Sequence, residues 1–103
     1  MPVVRISVGR FDKSVYEEVE RLLRDGQKRL VPAIEKLPGC LRYEVGISRD
    51  ANTITNVSIW DTLEHAKQMA SLQAMQAEGN LMRSQGVQFD PIINYETVWE
   101  IVP

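Results

Sequence analysis

Two hydrophobic periods alternate along this chain of 103 residues, and their order limits the fold more than any other feature of the sequence. Apolar residues recur at every second position over residues 3–10, 40–48 and 92–102, which is the period of a β-strand, and residues 53–60 are rich in the β-branched residues that favour strands. Between these segments, residues 14–37 and 63–85 carry apolar residues at helical spacing. The predicted order is therefore strand, helix, strand, strand, helix, strand, with no segment left over.

This order is typical of an α+β fold of the ferredoxin-like βαββαβ type, in which a four-stranded antiparallel sheet carries both helices on one face. A chain of this length is the size of one domain, so we expect residues 1–103 to form a single domain.

Short motifs predict where the two helices begin. Ser14 and Glu17 have the spacing of a capping box, in which the two side chains satisfy free amides of the first turn. Asp61 to Glu64 repeats this pattern ahead of the second helix, for which we expect several apolar residues to point inward: Leu63, Ala66, Met69, Ala70 and Leu72.

Proline and glycine predict where the helices break. Pro38-Gly39 ends the first helix, and Pro32 within it predicts a kink or a restart near residues 28–32. Gly79-Asn80 predicts a break in the second helix.

Apolar residues occupy both faces of the strands, although helices cover only one face. The alternation places two sets of side chains on common faces of the second and last strands: Leu41, Tyr43, Val45 and Ile47, and Tyr95, Thr97, Trp99 and Ile101. Because a chain this short cannot cover both faces, the bare face must meet another surface. We expect a homodimer formed through the helix-free face, with residues 92–102 contributing.

Composition argues against several classes of partner and cofactor. The net charge is −2 and the second half is nearly free of Lys and Arg, whereas nucleic-acid binders usually show a basic face. No apolar run approaches the roughly 20 residues that a membrane helix needs. A single cysteine, Cys40, indicates a cytoplasmic protein with a reduced thiol. His65 and Cys40 form no metal-ligand cluster and no nucleotide-binding motif occurs, so we expect no cofactor.

The region around the second and third strands carries a resemblance to a known family. Its motifs are Pro38-Gly39-Cys40-Leu41-Arg42-Tyr43-Glu44-Val45, then Thr55-Asn56-Val57-Ser58-Ile59-Trp60-Asp61, then Leu63-Glu64-His65-Ala66. In these motifs and in its element order the chain resembles the dimeric α+β barrel superfamily and, within it, the antibiotic biosynthesis monooxygenase-like domain. The resemblance implies a homodimer whose two sheets face each other as a barrel.

The same resemblance implies two chemistries. One branch of the family oxidises polycyclic phenols with O₂ and without metal or flavin, and another binds and degrades haem; both use an Asn and a Trp in the pocket. Haem degradation is the weaker hypothesis here, because the position of the ligating histidine in that branch is taken by Ala70.

Asn56, Ser58 and Trp60 share one face of the third strand because they are two residues apart. The resemblance implies that Asn56 and Trp60 are catalytic, since amide and indole donors stabilise a substrate oxyanion in a dry pocket. His65, in the first turn of the second helix, is the candidate base. We expect Asn56, Trp60 and His65 to line one cavity. The alternatives are a satisfied Asn, a core Trp, and a surface His next to Glu64 or bonded to Asp61.

Other side chains are candidates for binding a small aromatic substrate, although each also suits ordinary packing or solvation. They are Ser58 and Tyr43 as polar groups, Met69 and Leu72 as an apolar wall, and Arg83 as a cation for a substrate anion. Cys40 has no partner base and is read as a buried small hydrophobe.

Two further interpretations stay open. Asn56 and Trp60 would equally suit a non-catalytic barrel that binds a small ligand. Met1-Pro2-Val3-Val4 and Gly9-Arg10 resemble the tautomerase superfamily, whose members use an N-terminal proline amine as a base. Two facts argue against the tautomerase interpretation. Met1 precedes Pro2, so the proline amine is not free, and the second half of the chain has no matching βαβ start with its own proline.

Overall fold

The computed structural model describes residues 1–103 and has the predicted α+β ferredoxin-like architecture, an antiparallel sheet with its helices on one face. The strands are β1 (Val3–Arg10), β2 (Cys40–Ser48), β3 (Thr53–Trp60), β4 (Gln88–Phe89) and β5 (Ile93–Glu96). Their order is β2-β3-β1, and the other edge of β1 pairs with both β4 and β5. β5 lies within the predicted last strand, residues 92–102, whereas β4 is a short strand that the sequence did not predict.

The helices are α1 (Tyr16–Glu35), α2 (Leu63–Lys67) and α3 (Gln73–Ser84). Short 3₁₀ turns, Lys13–Val15 and Gln68–Ser71, precede α1 and α3. No helix combines the length and the apolar character needed to cross a membrane.

The helix starts differ from the predicted capping boxes by a residue or two. Asp12, not Ser14, is the N-terminal cap: its carboxylate accepts a hydrogen bond of 2.9 Å from the Ser14 amide, and the 3₁₀ turn delays α1 to Tyr16. Thr62, not Asp61, caps α2, because its hydroxyl accepts from the His65 amide at 3.1 Å.

The predicted restart of the first helix near Pro32 and the predicted break of the second helix at Gly79-Asn80 are wrong. α1 continues through Pro32 to Glu35, and α3 continues through Gly79-Asn80. In α3 the Asn80 side chain accepts a hydrogen bond from Arg83 and so does not compete for the helix backbone. The interruption lies earlier, at Leu72, whose backbone is extended.

A β-bulge at the start of β2 changes the faces of the sheet on which Cys40 and Leu41 lie. The register shifts between Cys40, which pairs with Trp60, and Arg42, which pairs with Ile59. Leu41 is the extra residue and is 60% exposed, so the prediction that it shares a face with Tyr43 is wrong.

The last strand ends earlier than predicted. The first residue of β1, Val3, pairs with Glu96, and the Thr97 amide then bonds to the Pro2 carbonyl at 3.0 Å. Beyond this point β1 offers no further backbone partner, so the predicted strand over residues 92–102 is wrong at its C-terminal end. Four large apolar side chains of this segment are at least three-quarters exposed: Val98, Trp99, Ile101 and Val102.

Two apolar clusters pack between the sheet and the helices. One lies around α1, α3 and the loop between β1 and α1, and it contains Phe11, Tyr16, Val19, Leu22, Ile54, Met82 and Val87. The other is built around the end of β3 and contains Val3, Ile34, Trp60, Ala66 and Met69. Leu63 belongs to neither cluster and is 44% exposed, so the prediction that it points inward is wrong.

Candidate functional site

A cavity of about 470 Å³ lies between the sheet and the helices α1 and α3. Its wall includes Leu22 and Met82 from the first apolar cluster and Met69 from the second, so it separates the two clusters. The volume is within the range of about 300–1,000 Å³ that is usual for small-molecule sites.

Polar side chains from β1, β2 and β3 form one side of this cavity. Strand register places Tyr43 of β2 beside Ser58 of β3, and Ser58 beside Arg5 of β1, while Asn56 of β3 lies one row away beside Ser7. Of these, Arg5, Ser7, Tyr43 and Asn56 line the cavity.

Two of these polar groups are buried without a hydrogen-bond partner. They are the Asn56 Oδ1 and the Tyr43 Oη. Burial also raises the pKa of the Tyr43 phenol to about 12, so this side chain is neutral near neutral pH. Because buried polar atoms are ordinarily satisfied, two orphaned atoms on one cavity wall indicate a place for a polar ligand group.

Arg5 was not among the residues that the sequence indicated. Its side chain points under the helices and is 4% exposed, and it forms no ion pair or hydrogen bond with another residue. Burial lowers the pKa of its guanidinium, partly offset by the neighbouring Tyr43. An arginine that alternates with valines in a strand ordinarily faces solvent, so only the helix packing shows its position.

Glu78 of α3 is the second cavity residue that the sequence did not indicate. Its carboxylate is buried: Oε1 accepts from Arg29 Nε at 2.5 Å, and Oε2 has no partner. Gly26 of α1 leaves room for it, since a Cβ there would lie 3.2 Å from Oε2. No local sequence pattern marks a helical glutamate as buried.

Trp60 and Ser58 lie beside the cavity and not on its wall. Trp60 is 0% exposed, and its indole Nε1 donates to Ser58 Oγ at 2.8 Å. The expectation that Trp60 lines the cavity with Asn56 is therefore wrong, because an adjacent side chain on the same strand face already takes its donor.

His65 lies outside the cavity, at the surface end of α2. Its Nδ1 is 2.6 Å from Asp61 Oδ1, and both side chains are more than a third exposed. The hydrogen bond to His65 lowers the pKa of the Asp61 carboxyl. The structure therefore favours the alternative of a surface histidine bonded to Asp61, and it does not bring His65 together with Asn56.

The remaining candidates also divide into residues on the cavity wall and residues away from it. Met69 and Arg83 line the cavity, although Arg83 also donates to Asn80 and lies over the Phe89 ring. Leu72 packs against the second apolar cluster and not on the cavity wall. Cys40 is half-buried, and burial raises the pKa of its thiol, in keeping with a packing role.

The arrangement can hold a flat apolar molecule by its polar edge. Aliphatic and thioether side chains form most of the wall, and the free polar groups concentrate on the sheet side. No group of three His, Cys, Asp or Glu side chains is close enough to bind a metal ion.

Comparisons with known proteins agree with this architecture. The model of the antibiotic biosynthesis monooxygenase family matches residues 10–77. No protein of curated function matches the chain.

Three solved structures share the fold at low sequence identity. A candidate antibiotic biosynthesis monooxygenase from Deinococcus radiodurans is 18% identical, with a TM-score of 0.71 over 100% of this chain and 98% of that chain. Rv0793 from Mycobacterium tuberculosis is 11% identical, with a TM-score of 0.71 over 99% of this chain and 100% of that one. SnoaB, a cofactor-independent oxygenase from Streptomyces nogalater, is 14% identical, with a TM-score of 0.65 over 99% and 97%.

Proposed function

Since this chain belongs to the antibiotic biosynthesis monooxygenase family, we propose that it oxidises a small aromatic, phenolic or quinol-like compound with O₂ and without metal or flavin. The reaction takes place in the cavity between the sheet and the helices. The structural neighbour SnoaB, a cofactor-independent oxygenase, supports the cofactor-free form of the reaction.

The unpartnered Asn56 Oδ1 on the cavity wall is the observation that carries this proposal. A phenol or quinol that binds there donates a hydrogen bond from its hydroxyl group to this oxygen. As the substrate ionises, the Asn56 amide turns its NH₂ group towards the developing oxyanion, and the neutral Tyr43 hydroxyl donates to it as well. Hydrogen-bond donors on a largely apolar cavity wall stabilise such a charge strongly.

The chemistry needs only deprotonation and a protected oxyanion. A substrate that forms a stabilised carbanion gives electrons to O₂ directly; at a methylene carbon one oxygen atom enters the product as a carbonyl and the other leaves as water. In this proposal the proton goes to Glu78, which lines the same cavity from α3 with a buried, unpartnered Oε2, and not to His65, which lies outside the cavity.

Oxygen consumption over a panel of phenols, hydroquinones and anthrones, with protein treated with a chelator, tests this proposal. Asn56→Ala should lower kcat by roughly 10–10³, the range for loss of one oxyanion donor. Asn94→Ala is the matched control, because Asn94 is exposed and outside the cavity. If no compound raises oxygen uptake above background, or Asn56→Ala keeps the full rate, ligand binding without turnover replaces the oxygenase hypothesis.

We also propose that the protein acts as a homodimer formed through the helix-free face. Strand register places Val4, Ile6, Val57, Ile59 and Tyr95 together on this face, and no helix covers them. The exposed segment over residues 97–103 continues from the same edge of the sheet. A second copy that covers both would bury an interface well above about 1,000 Å².

A further inference from the structure

We propose that the cavity is built for a small aromatic compound that carries a carboxylate, and that Arg5 binds this group. That such a compound is the substrate rests on the proposed function, whereas its binding to the cavity does not. It starts from a buried cation that lacks an internal partner.

A buried charge is costly unless a group of opposite charge and hydrogen bonds compensate it. The chain offers Arg5 no such group, although two carboxylates stand on the same cavity wall. Asp90 is held by Arg10 at 2.8 Å, and Glu78 is held by Arg29 at 2.5 Å. The guanidinium of Arg5 is therefore left over when the internal ion pairs are formed.

A second copy of the chain cannot supply the missing anion through the proposed interface. Arg5 shares its sheet face with Ser58 and Asn56, beneath the helices, whereas the interface is on the opposite face. The open space in front of the guanidinium is the cavity itself. The missing partner is thus a molecule that enters the cavity.

The charged groups that line the cavity indicate that the bound anion is a singly charged, planar group. A guanidinium presents two parallel N–H donors that match the two oxygens of a carboxylate. The unpartnered Oε2 of Glu78, which lines the same cavity from α3, would repel the second charge of a dianion such as a phosphate monoester.

Binding of three probes of similar shape tests this assignment by titration calorimetry without O₂: 2-naphthoate, the neutral 2-naphthamide and 2-naphthyl phosphate. The wild type should bind 2-naphthoate at least about tenfold more tightly than either of the others, which corresponds to about 1.4 kcal/mol. Equal binding of 2-naphthoate and 2-naphthamide, tighter binding of the phosphate, or no binding of any probe overturns it.

Variants then assign the preference to Arg5. Arg5→Met should remove the preference for 2-naphthoate over 2-naphthamide while leaving 2-naphthamide binding within about twofold, and Arg5→Lys should restore part of it. Arg24→Met, which removes an exposed arginine of α1, is the matched control and should change neither affinity. A preference for 2-naphthoate that survives in Arg5→Met overturns the assignment. If this variant does not fold, the ratio of 2-naphthoate affinity to 2-naphthamide affinity is measured in Arg5→Lys, and a ratio equal to that of the wild type overturns the assignment.

The two proposals fail separately. Preference for 2-naphthoate without oxygen uptake on any carboxylated hydroquinone contradicts the oxygenase hypothesis and leaves the carboxylate site intact. Oxygen uptake on neutral hydroquinones, with no preference among the naphthyl probes, contradicts the carboxylate site and leaves the oxygenase hypothesis intact.

Discussion

The two faces of β1 differ in the reverse of the usual way. In the middle of this strand, the face beneath the helices carries Arg5 and Ser7, whereas the face without helices carries Val4, Ile6 and Val8. The edge strand β2 keeps the usual arrangement, with its charged residues on the open face. In a sheet with one covered face, the covered face is ordinarily the more apolar one.

The difference separates two tasks. The helices do not simply bury an apolar sheet: they pack on each other and on the ends of the strands, and enclose a cavity whose polar side is the middle of the sheet. The apolar middle of the sheet faces the other way, where it is available for association. Ligand binding and assembly are thereby assigned to opposite faces of the same strands.

A charge on the open face should have the largest effect. Val57→Asp places a carboxylate from each copy into the proposed interface, opposite Glu44 in the register. An uncompensated buried charge costs about 3–5 kcal/mol, so the dissociation constant of the dimer should rise at least about 100-fold. Light scattering over micromolar concentrations measures this change. Leu81→Asp, on the exposed surface of α3, is the control, and an unchanged mass for Val57→Asp contradicts the interface.

Truncation of side chains under the helices should destabilise the protein according to burial. Met69, in the turn after α2, is 1% exposed, whereas Leu63 at the start of α2 is 44% exposed. Met69→Ala should lower the free energy of unfolding by about 2–5 kcal/mol, and Leu63→Ala by less than about 1 kcal/mol. Urea denaturation measures both, and similar losses would show that α2 packs differently.

Removal of the unpaired cation should make the covered face more stable. Arg5→Met replaces a buried charge that has no partner with a thioether of similar length, and should raise the free energy of unfolding by about 1–3 kcal/mol. Arg42→Met on the open face removes an exposed arginine paired with Glu44, and should change stability by no more than about 0.5 kcal/mol. A large loss of stability in Arg5→Met would mean that the guanidinium has a structural partner.

The smallest expected effect is a pH dependence that comes from Tyr43. Its pKa is raised to about 12 in the folded protein because it is buried, whereas the unfolded chain releases this proton at about pH 10. The stabilisation is therefore complete below pH 10 and is lost as the pH rises towards 12. Between pH 9 and 11, the wild type should lose about 1 kcal/mol of stability relative to Tyr43→Phe, measured by urea denaturation. A constant difference between the two proteins would place the phenol in water.

The first three strands could be predicted to the residue because the signals for them, alternation in β1 and β2 and β-branched residues in β3, are local. Their ranges are those of residues 3–10, 40–48 and 53–60. The last strand could not, because its end depends on where β1 begins, at the other end of the chain. Helix starts were displaced because neighbouring residues, such as Asp61 and Thr62, compete for the same cap.

The candidate site could be predicted in part for a similar reason. Asn56, which the family resemblance implied, and Tyr43, a candidate polar side chain, do reach the cavity. Arg5 and Glu78 were missed, because a charged residue in a strand or helix is usually solvent-exposed and only the packing of α1 and α3 encloses these two. The i,i+2 contact between Trp60 and Ser58 consumes a donor that the spacing alone suggested was free.

The turn between α1 and β2 limits which related sequences can share this structure. Gly39 has φ +86°, and a Cβ there would lie 2.3 Å from both Asp61 Oδ1 and His65 Nδ1, while the Asp61 amide donates to the Gly39 carbonyl at 3.0 Å. A side chain at position 39 would strain the backbone and would push the Asp61 and His65 side chains out of their present contact. A single substitution at this glycine would therefore disturb the turn and the start of α2 together, although position 39 lies more than twenty residues before Asp61 and His65 in the chain.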